Sequence, residues 1–468
     1  MNSQKRATKK RALQKTELLG STSIPKALLA MGIPTMIGML VNAFYNLVDA
    51  YFVGGLGESQ MGAISVVYPL GQVVVGLGLL FGNGAASYIS RLLGRGDKEN
   101  ADKVASTALY SSVSVGAVII IISMVFLHPI LKLLGATDSI LPFAATYASI
   151  YIVSCIFNVF NVTMNNIVTS EGAAKTTMCA LLTGAVLNIA LDPLFIYVFD
   201  LGVAGAAIAT AISQVVSTCV YLTYIFRKKS VFHFRVKDCT YTKETMSEIF
   251  KIGIPTLVFQ ILTSVSISLI NNAAGDYGDS AIAGMGVVTR LISMGSLSVF
   301  GFIKGFQPIA GYSYGAKKFD RLREAIKTSI LWSTVFCVIF GVILALFPTA
   351  IVSQFTKGDA EMIRIGAASL RANGISIMLF GFYTVYSSLF LALGKGREGF
   401  ILGACRQGIC FIPVILLLPI VWGLNGIMYA QPIADVLSAV ITVFMAIPLH
   451  KKLNDMQKQT SAISTNNN

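Results

Sequence analysis

Charge is what this sequence has least of: 12% of its 468 residues are Asp, Glu, Lys or Arg, against 54% hydrophobic residues. A soluble domain needs about twice that charged fraction to cover its surface, so an ordinary soluble protein is excluded. Histidine is scarcer still, with three residues (His128, His233 and His450) too scattered for a metal cluster. The seven cysteines (155, 179, 219, 239, 337, 405 and 410) show no CxxC spacing. They read as small apolar residues, not as disulfides or metal ligands. No GxxxxGK[ST] phosphate loop occurs, which argues against nucleotide-driven work. No catalytic constellation is visible either, so an enzyme is not expected.

What remains is long apolar stretches, each of about 20 residues or more, the length that crosses a bilayer. Twelve spans are read, at about 27–53, 61–83, 104–127, 141–168, 178–199, 202–226, 250–273, 281–306, 326–347, 365–393, 400–421 and 424–448. The expected fold is an all-α polytopic membrane protein. The first 25 residues are polar and basic, without an apolar core beside a small-residue cleavage site, and are read as a tail and not a signal peptide.

The formal net charge of +14 raises nucleic acid as a partner, and the placement of the basic residues answers it. Lys and Arg gather in the N-terminal tail and in the loops after spans two, six and eight. The opposite side has little beyond Lys132, Lys357 and Arg364. This positive-inside pattern places both termini in the cytoplasm and accounts for the basic balance without a polyanion. The expected partners are the lipid bilayer and small organic molecules, with no nucleic acid, and the working unit is taken as a monomer in the cell membrane.

The tetrapeptide GIPT occurs at 32–35 and again at 253–256, an offset of 221 residues. The same offset pairs Gly57 with Gly278, Gly84 with Gly305, Gly94 with Gly315, Gly202 with Gly423 and Gly205 with Gly426. Two six-span halves therefore repeat one unit, and because six spans return the chain to the same side, the halves run parallel about an axis along the membrane normal. The chain divides into a tail (1–25), an N-lobe (26–226), a cytoplasmic linker (227–249), a C-lobe (250–448) and a second tail (449–468). Two such lobes around a central cavity are the architecture of a transporter.

Between Ala27 and Gly57 the one charged residue is Asp49. A charge in mid-membrane costs at least about 3 kcal/mol on insertion scales, so it marks a function. Asn42, Tyr45, Asn46 and Asp49 share a helical face, as do Asn188 and Asp192 in span five. Both carboxylates lie roughly 8 to 12 Å below the outer end of their spans, and Thr210 of span six reaches that level, with Gln214 one turn deeper. Span four carries Asn158, Asn161 and Asn165 toward the cytoplasmic half. Paired carboxylates with amide and hydroxyl oxygens suit a small cation, or share a proton because both cannot easily ionise together. Pro34 and Pro193 interrupt the same two spans, each removing a backbone donor where a helix can bend.

The C-lobe lacks matching acids: Ile270 stands at the place of Asp49 and Pro413 near that of Asp192. Asp435 in span twelve and Arg290 in span eight lie at similar depth and are expected to pair, with a second cation site at Asp435 as the alternative. Lys304 and Arg406, near cytoplasmic ends, are expected to snorkel.

The stretches GIPTMIGMLVNAFYNLVDAYFVGGLG, LNIALDP, GVAGAAIATAISQ and SRLLGRGDKENADKV, together with the repeat, resemble the multidrug and toxic compound extrusion (MATE) transporters over residues 15–450. That resemblance implies a V-shaped pair of lobes exporting organic, mostly lipophilic cationic compounds in exchange for H+ or Na+. It implies no other cofactor. It places the coupling or Na+ site on Asp49, Asn165, Asn188, Asp192 and Thr210, with Asn42, Tyr45, Asn46, Asn161 and Gln214 in the substrate cavity. The alternative is a flippase for a lipid-linked precursor or polysaccharide, which would want inward basic residues.

Overall fold

The computed structural model describes residues 15–56, 58–356 and 359–466. Among them, twelve helices are long and apolar enough to cross a membrane. They are α1 (Ile24–Gly54), α2 (Glu58–Gly94), α3 (Lys98–Val125), α4 (Leu141–Ser170), α5 (Ala174–Val198), α6 (Gly202–Phe226), α7 (Lys243–Gly275), α8 (Asp279–Gly315), α9 (Phe319–Leu346), α10 (Ala360–Ala392), α11 (Gly396–Trp422) and α12 (Leu424–Asn466). Several run past the apolar spans by about two turns, because the polar ends keep helical hydrogen bonds outside the hydrocarbon. The linker read at 227–249 thus ends early, at Lys243 where α7 starts, capped by the Thr242 hydroxyl accepting from the Thr245 amide. The segment read as a second tail carries on as the end of α12.

Helices α1 to α6 pack among themselves, as do α7 to α12, and the halves meet where α1 lies on α8 and α2 lies on α7. The repeat relates α1 to α7 and α2 to α8, so these are one contact written twice. Its chemistry explains the paired glycines. A Cβ on Gly305 would sit 2.4 Å from the Gly32 nitrogen, and one on Gly84 would sit 2.3 Å from the Ile249 carbonyl oxygen. Gly94 and Gly315 abut the backbone of Tyr312 and Arg91 with the same closeness. Gly202 and Gly423 serve a different purpose: both have positive φ (53° and 57°), turning the chain into α6 and α12 where an L side chain would be strained.

Polar contacts continue the seam. Arg91 donates to Glu248 at 2.6 Å, Asn83 to the Thr256 hydroxyl at 2.9 Å, and the Gln260 amide to the Gln72 oxygen at 2.6 Å. All join the halves on the side of the chain termini or at mid-depth. Toward the other ends of these helices the halves leave Tyr68, which lines the space between them, 61% exposed. The halves are therefore sealed on the terminal side and separate toward the opposite side.

Candidate functional site: a two-sided cavity with a carboxylate cluster

Between the halves lies a cavity of about 840 Å³. On its N-lobe wall are Asn42, Tyr45, Asp49, Asn188, Thr210 and Gln214. The side chain of Asn46 lies outside the described residues. Asn42 and Tyr45 are both engaged by a partner.

Asp49 of α1 and Asp192 of α5 lie side by side, the first lining the cavity and the second fully buried behind it. The Asn188 amide donates to Asp192 Oδ1 at 3.2 Å and to the Thr210 hydroxyl at 3.4 Å. These contacts place Asn188, Asp192 and Thr210 in one cluster with Asp49. Three oxygens in it, Asp49 Oδ1, Asp192 Oδ2 and Asn188 Oδ1, are buried and have no hydrogen-bond donor among the described residues. Orphaned acceptors at such a density are rare in a native interior, where nine in ten or more buried polar groups are paired. Their chemistry asks for a proton or a small hard cation. Directly after Asp192, Pro193 gives way to a π-helical turn over Leu194–Val198, a local widening that is frequent at functional sites.

Asn165 stands apart. Its amide donates to the Tyr221 hydroxyl at 3.2 Å and its carbonyl oxygen accepts from Lys304 of α8, across the seam. It lies one and a half turns from the C-terminal end of α4, whereas Asp192 is some 27 Å along α5 from that side. Asn165 belongs to the cavity floor, not to the carboxylate cluster. Asn161 bonds the Gln214 side chain and backbone oxygens, both at 2.9 Å, and accepts from Thr218 at 2.9 Å, tying α4 to α6. Asn158 also faces the cavity, its Oδ1 without a donor among the described residues.

Two aromatic residues beside Asp49 escaped the reading of the sequence. Tyr147 and Tyr151 are stacked with ring centroids 5.6 Å apart, and both line the cavity. Gly71 leaves room for them, since a Cβ there would be 2.5 Å from the Tyr151 hydroxyl. The signal was present: Tyr147, Tyr151, Asn158, Asn161 and Asn165 follow the 3.6-residue period and continue one face of α4.

The C-lobe pairing expected from depth does not form. Arg290 is exposed on α8, and Asp435 takes Arg406 instead, Nε to Oδ1 at 3.0 Å. Ser376 and Gln431 also donate to Asp435, each at 2.9 Å, and the Arg406 guanidinium lies 4.6 Å from the Phe380 ring centroid. Arg406 does not snorkel, because α11 starts at Gly396 and puts it about 15 Å from that end, inside a π-helical turn over Cys405–Ile409. Lys304 does not snorkel either, being held over the floor by Asn165.

The MatE family model matches this chain at residues 34–194 and 255–417, two segments that begin one repeat offset apart. The multidrug export protein MepA of Staphylococcus aureus (strain MSSA476) is 32% identical over 429 residues, 92% of this chain and 94% of that one. Among solved structures, an outward-facing multidrug resistance MATE family transporter of the MOP superfamily superposes with a TM-score of 0.88 at 27% identity, covering 95% of this chain and 98% of that one. A MOP superfamily transporter from Pyrococcus furiosus, described by a reverse polarity of its binding pocket, superposes with a TM-score of 0.87 at 26% identity, covering 94% of this chain and 98% of the other.

Proposed function

This chain belongs to the MATE family of multidrug efflux transporters, and from that premise we propose that it exports lipophilic organic cations by exchange with H+ or Na+ at the N-lobe carboxylates. The observation that carries the proposal is the set of orphaned oxygens on Asp49, Asp192 and Asn188. Asp192 is withdrawn behind the wall and suits the ion, while Asp49 faces the cavity and suits both ion and drug. Stacked Tyr147 and Tyr151 beside Asp49 offer aromatic faces to a cation of any shape. With both termini cytoplasmic, as the basic loops argue, the sealed side is the cytoplasmic one and the cavity opens outward. In that state the drug leaves and the coupling ion enters. A proton or Na+ at the cluster removes the negative charge that held the drug, and its different affinity in the two states biases the return. Pro193 and the π turn behind Asp192 are where α5 would bend as the ion binds. The transporting unit is one chain in the cell membrane.

The test is ethidium movement in proteoliposomes, driven separately by an imposed pH gradient and an imposed Na+ gradient. Wild type moves the dye with one of them and Asp49→Asn with neither. Equal transport by Asp49→Asn would remove the coupling role from the cluster. The flippase alternative loses Arg290, which is exposed, yet Lys304 and Arg406 do line the cavity.

A further inference from the structure

The residues just before α1 are held by both halves. Residues 15–20 form a short helix that ends where the Ser21 and Thr22 amides turn back to the Glu17 carbonyl, both at 2.9 Å. A helix end leaves its last carbonyls without amide partners, and here basic side chains of the C-lobe supply donors. Arg321 of α9 donates from Nε to the Leu19 carbonyl at 3.1 Å, from Nη2 to that of Leu18 at 3.4 Å, and from Nη1 to that of Thr22. Lys318 donates to the Gly20 carbonyl at 2.8 Å. Leu19 is buried in an apolar cluster with Phe306, Ile309 and Leu322, and a Cβ on Gly20 would meet the Tyr312 ring at 2.6 Å.

The other end of the segment is held by the N-lobe. Lys15 donates to the Lys229 carbonyl at 2.7 Å, to Glu171 at 3.1 Å and to the Tyr224 hydroxyl. Glu171 is buried, yet it does not depend on this cation alone, because it also accepts from Ser230 at 2.9 Å, from the Val231 amide at 2.6 Å and from Tyr224. Lys15 can therefore leave without stripping a buried carboxylate of its donors. Residues 15–22 are thus a strap tied to α4 and α6 at one end and to α9 at the other, on the sealed side. The repeat does not duplicate it. At the 221-residue offset Asn100 stands at the place of Arg321 and Asp97 at that of Lys318, and these two bond each other at the start of α3. The seam glycines are written twice and the arginine clasp once, so packing of a half does not require it.

We propose that this strap is a latch on the sealed side, with Arg321 as its positioning residue. While Arg321 and Lys15 are both seated the strap joins the halves, and opening of that side requires one end to let go. Lys15 is the end that releases, being one ammonium on a carboxylate that keeps three other donors. Arg321 and Lys318 make four bonds beside buried Leu19 and hold on. This rests on the alternating-access reading above and assigns a residue that sets its equilibrium.

The test is the distance between spin labels on exposed Arg95 and Arg397, both on the sealed side, in the full-length protein in nanodiscs. Arg321→Ala should raise the population of the longer distance by about tenfold, the worth of a hydrogen bond to a charged group. Lys15→Ala should raise it by about three- to tenfold, less because the ammonium is partly exposed. The double variant should shift no further than Arg321→Ala alone, because a strap freed at either end no longer spans the halves. Fully additive shifts would overturn the latch. Arg323→Ala is the control, since Arg323 bonds Asn454 within the C-lobe, and an equal shift there would overturn the role of Arg321. Arg321→Lys keeps the charge without the planar fork and should give an intermediate shift; if the alanine variant fails to fold, no shift in Arg321→Lys overturns the latch. A lowered melting temperature with unchanged distances in Arg321→Ala and Lys15→Ala would make the segment structural only, leaving the exporter reading standing. A wild-type distance that responds to neither pH, Na+ nor ethidium would remove alternating access itself, and the latch with it.

Discussion

Placing a methyl group at Gly305 tests whether the seam sets the resting state. In the sealed form a Cβ at this position would lie 2.4 Å from the Gly32 nitrogen, 2.5 Å from the Met31 carbonyl carbon and 2.6 Å from the Gly32 α-carbon. All three are backbone atoms, which cannot rotate aside as a side chain can. Ordinary contact needs about 1 Å more, so α1 and α8 must part by that amount. Overpacking of this kind costs roughly 1 to 3 kcal/mol, and the cost falls on the sealed form alone. At 1.4 kcal/mol per factor of ten, Gly305→Ala lowers the population of the sealed form relative to its alternative by about five- to 150-fold. The assay is the distance between spin labels on Arg95 and Arg397, both exposed on the sealed side. A longer distance is expected in Gly305→Ala. The same is expected in Gly84→Ala, whose Cβ meets the Ile249 carbonyl oxygen at the repeat-related contact. Gly366→Ala, whose Cβ first meets the Val352 side chain within the C-lobe, should leave the distance alone. Unchanged distances and unchanged transport in both seam variants would show that the glycine seam does not set the resting state.

Arg406→Ala leaves Asp435 buried without its cation and should destabilise the protein by about 3 to 5 kcal/mol, read as a lowered melting temperature in detergent; adding Asp435→Asn should recover most of it. Tyr151→Ala removes one of the stacked faces beside Asp49 and should weaken ethidium binding by about five- to thirtyfold, measured by fluorescence titration. Outside the spans, Asp359 accepts from the Met362 amide at 3.0 Å and from Ser280 at 2.7 Å, contacts that hold its carboxyl below its ordinary value. Its contribution is therefore complete at neutral pH and is lost as the pH falls through that lowered value. The melting temperatures of wild type and Asp359→Ala should differ at neutral pH and converge in acid.

The twelve spans and the repeat were legible because the bilayer imposes length and apolarity on every helix, and a duplicated seam imposes the same glycines twice. The neighbourhood of Asp49 and Asp192 was legible because both lie at one depth on polar faces of helices that pack together. Depth alone misled for Asp435. Arg290 matches it in level but points away, since level says nothing about rotation around a helix axis. Arg406 was hidden by counting from the end of the apolar span, when α11 starts four residues earlier. Asn165 was carried into the carboxylate cluster by resemblance, against a depth that places it at the floor with Lys304. Tyr147 and Tyr151 lay on a face that was followed only through its asparagines.

If drug and coupling ion exclude each other at Asp49, ethidium affinity measured at equilibrium in nanodiscs must respond as the proton and Na+ concentrations are raised in turn. Wild-type affinity is expected to fall as one of the two ions rises, and Asp49→Asn to bind more weakly and no longer respond. The same ion dependence retained in Asp49→Asn would contradict that exclusion.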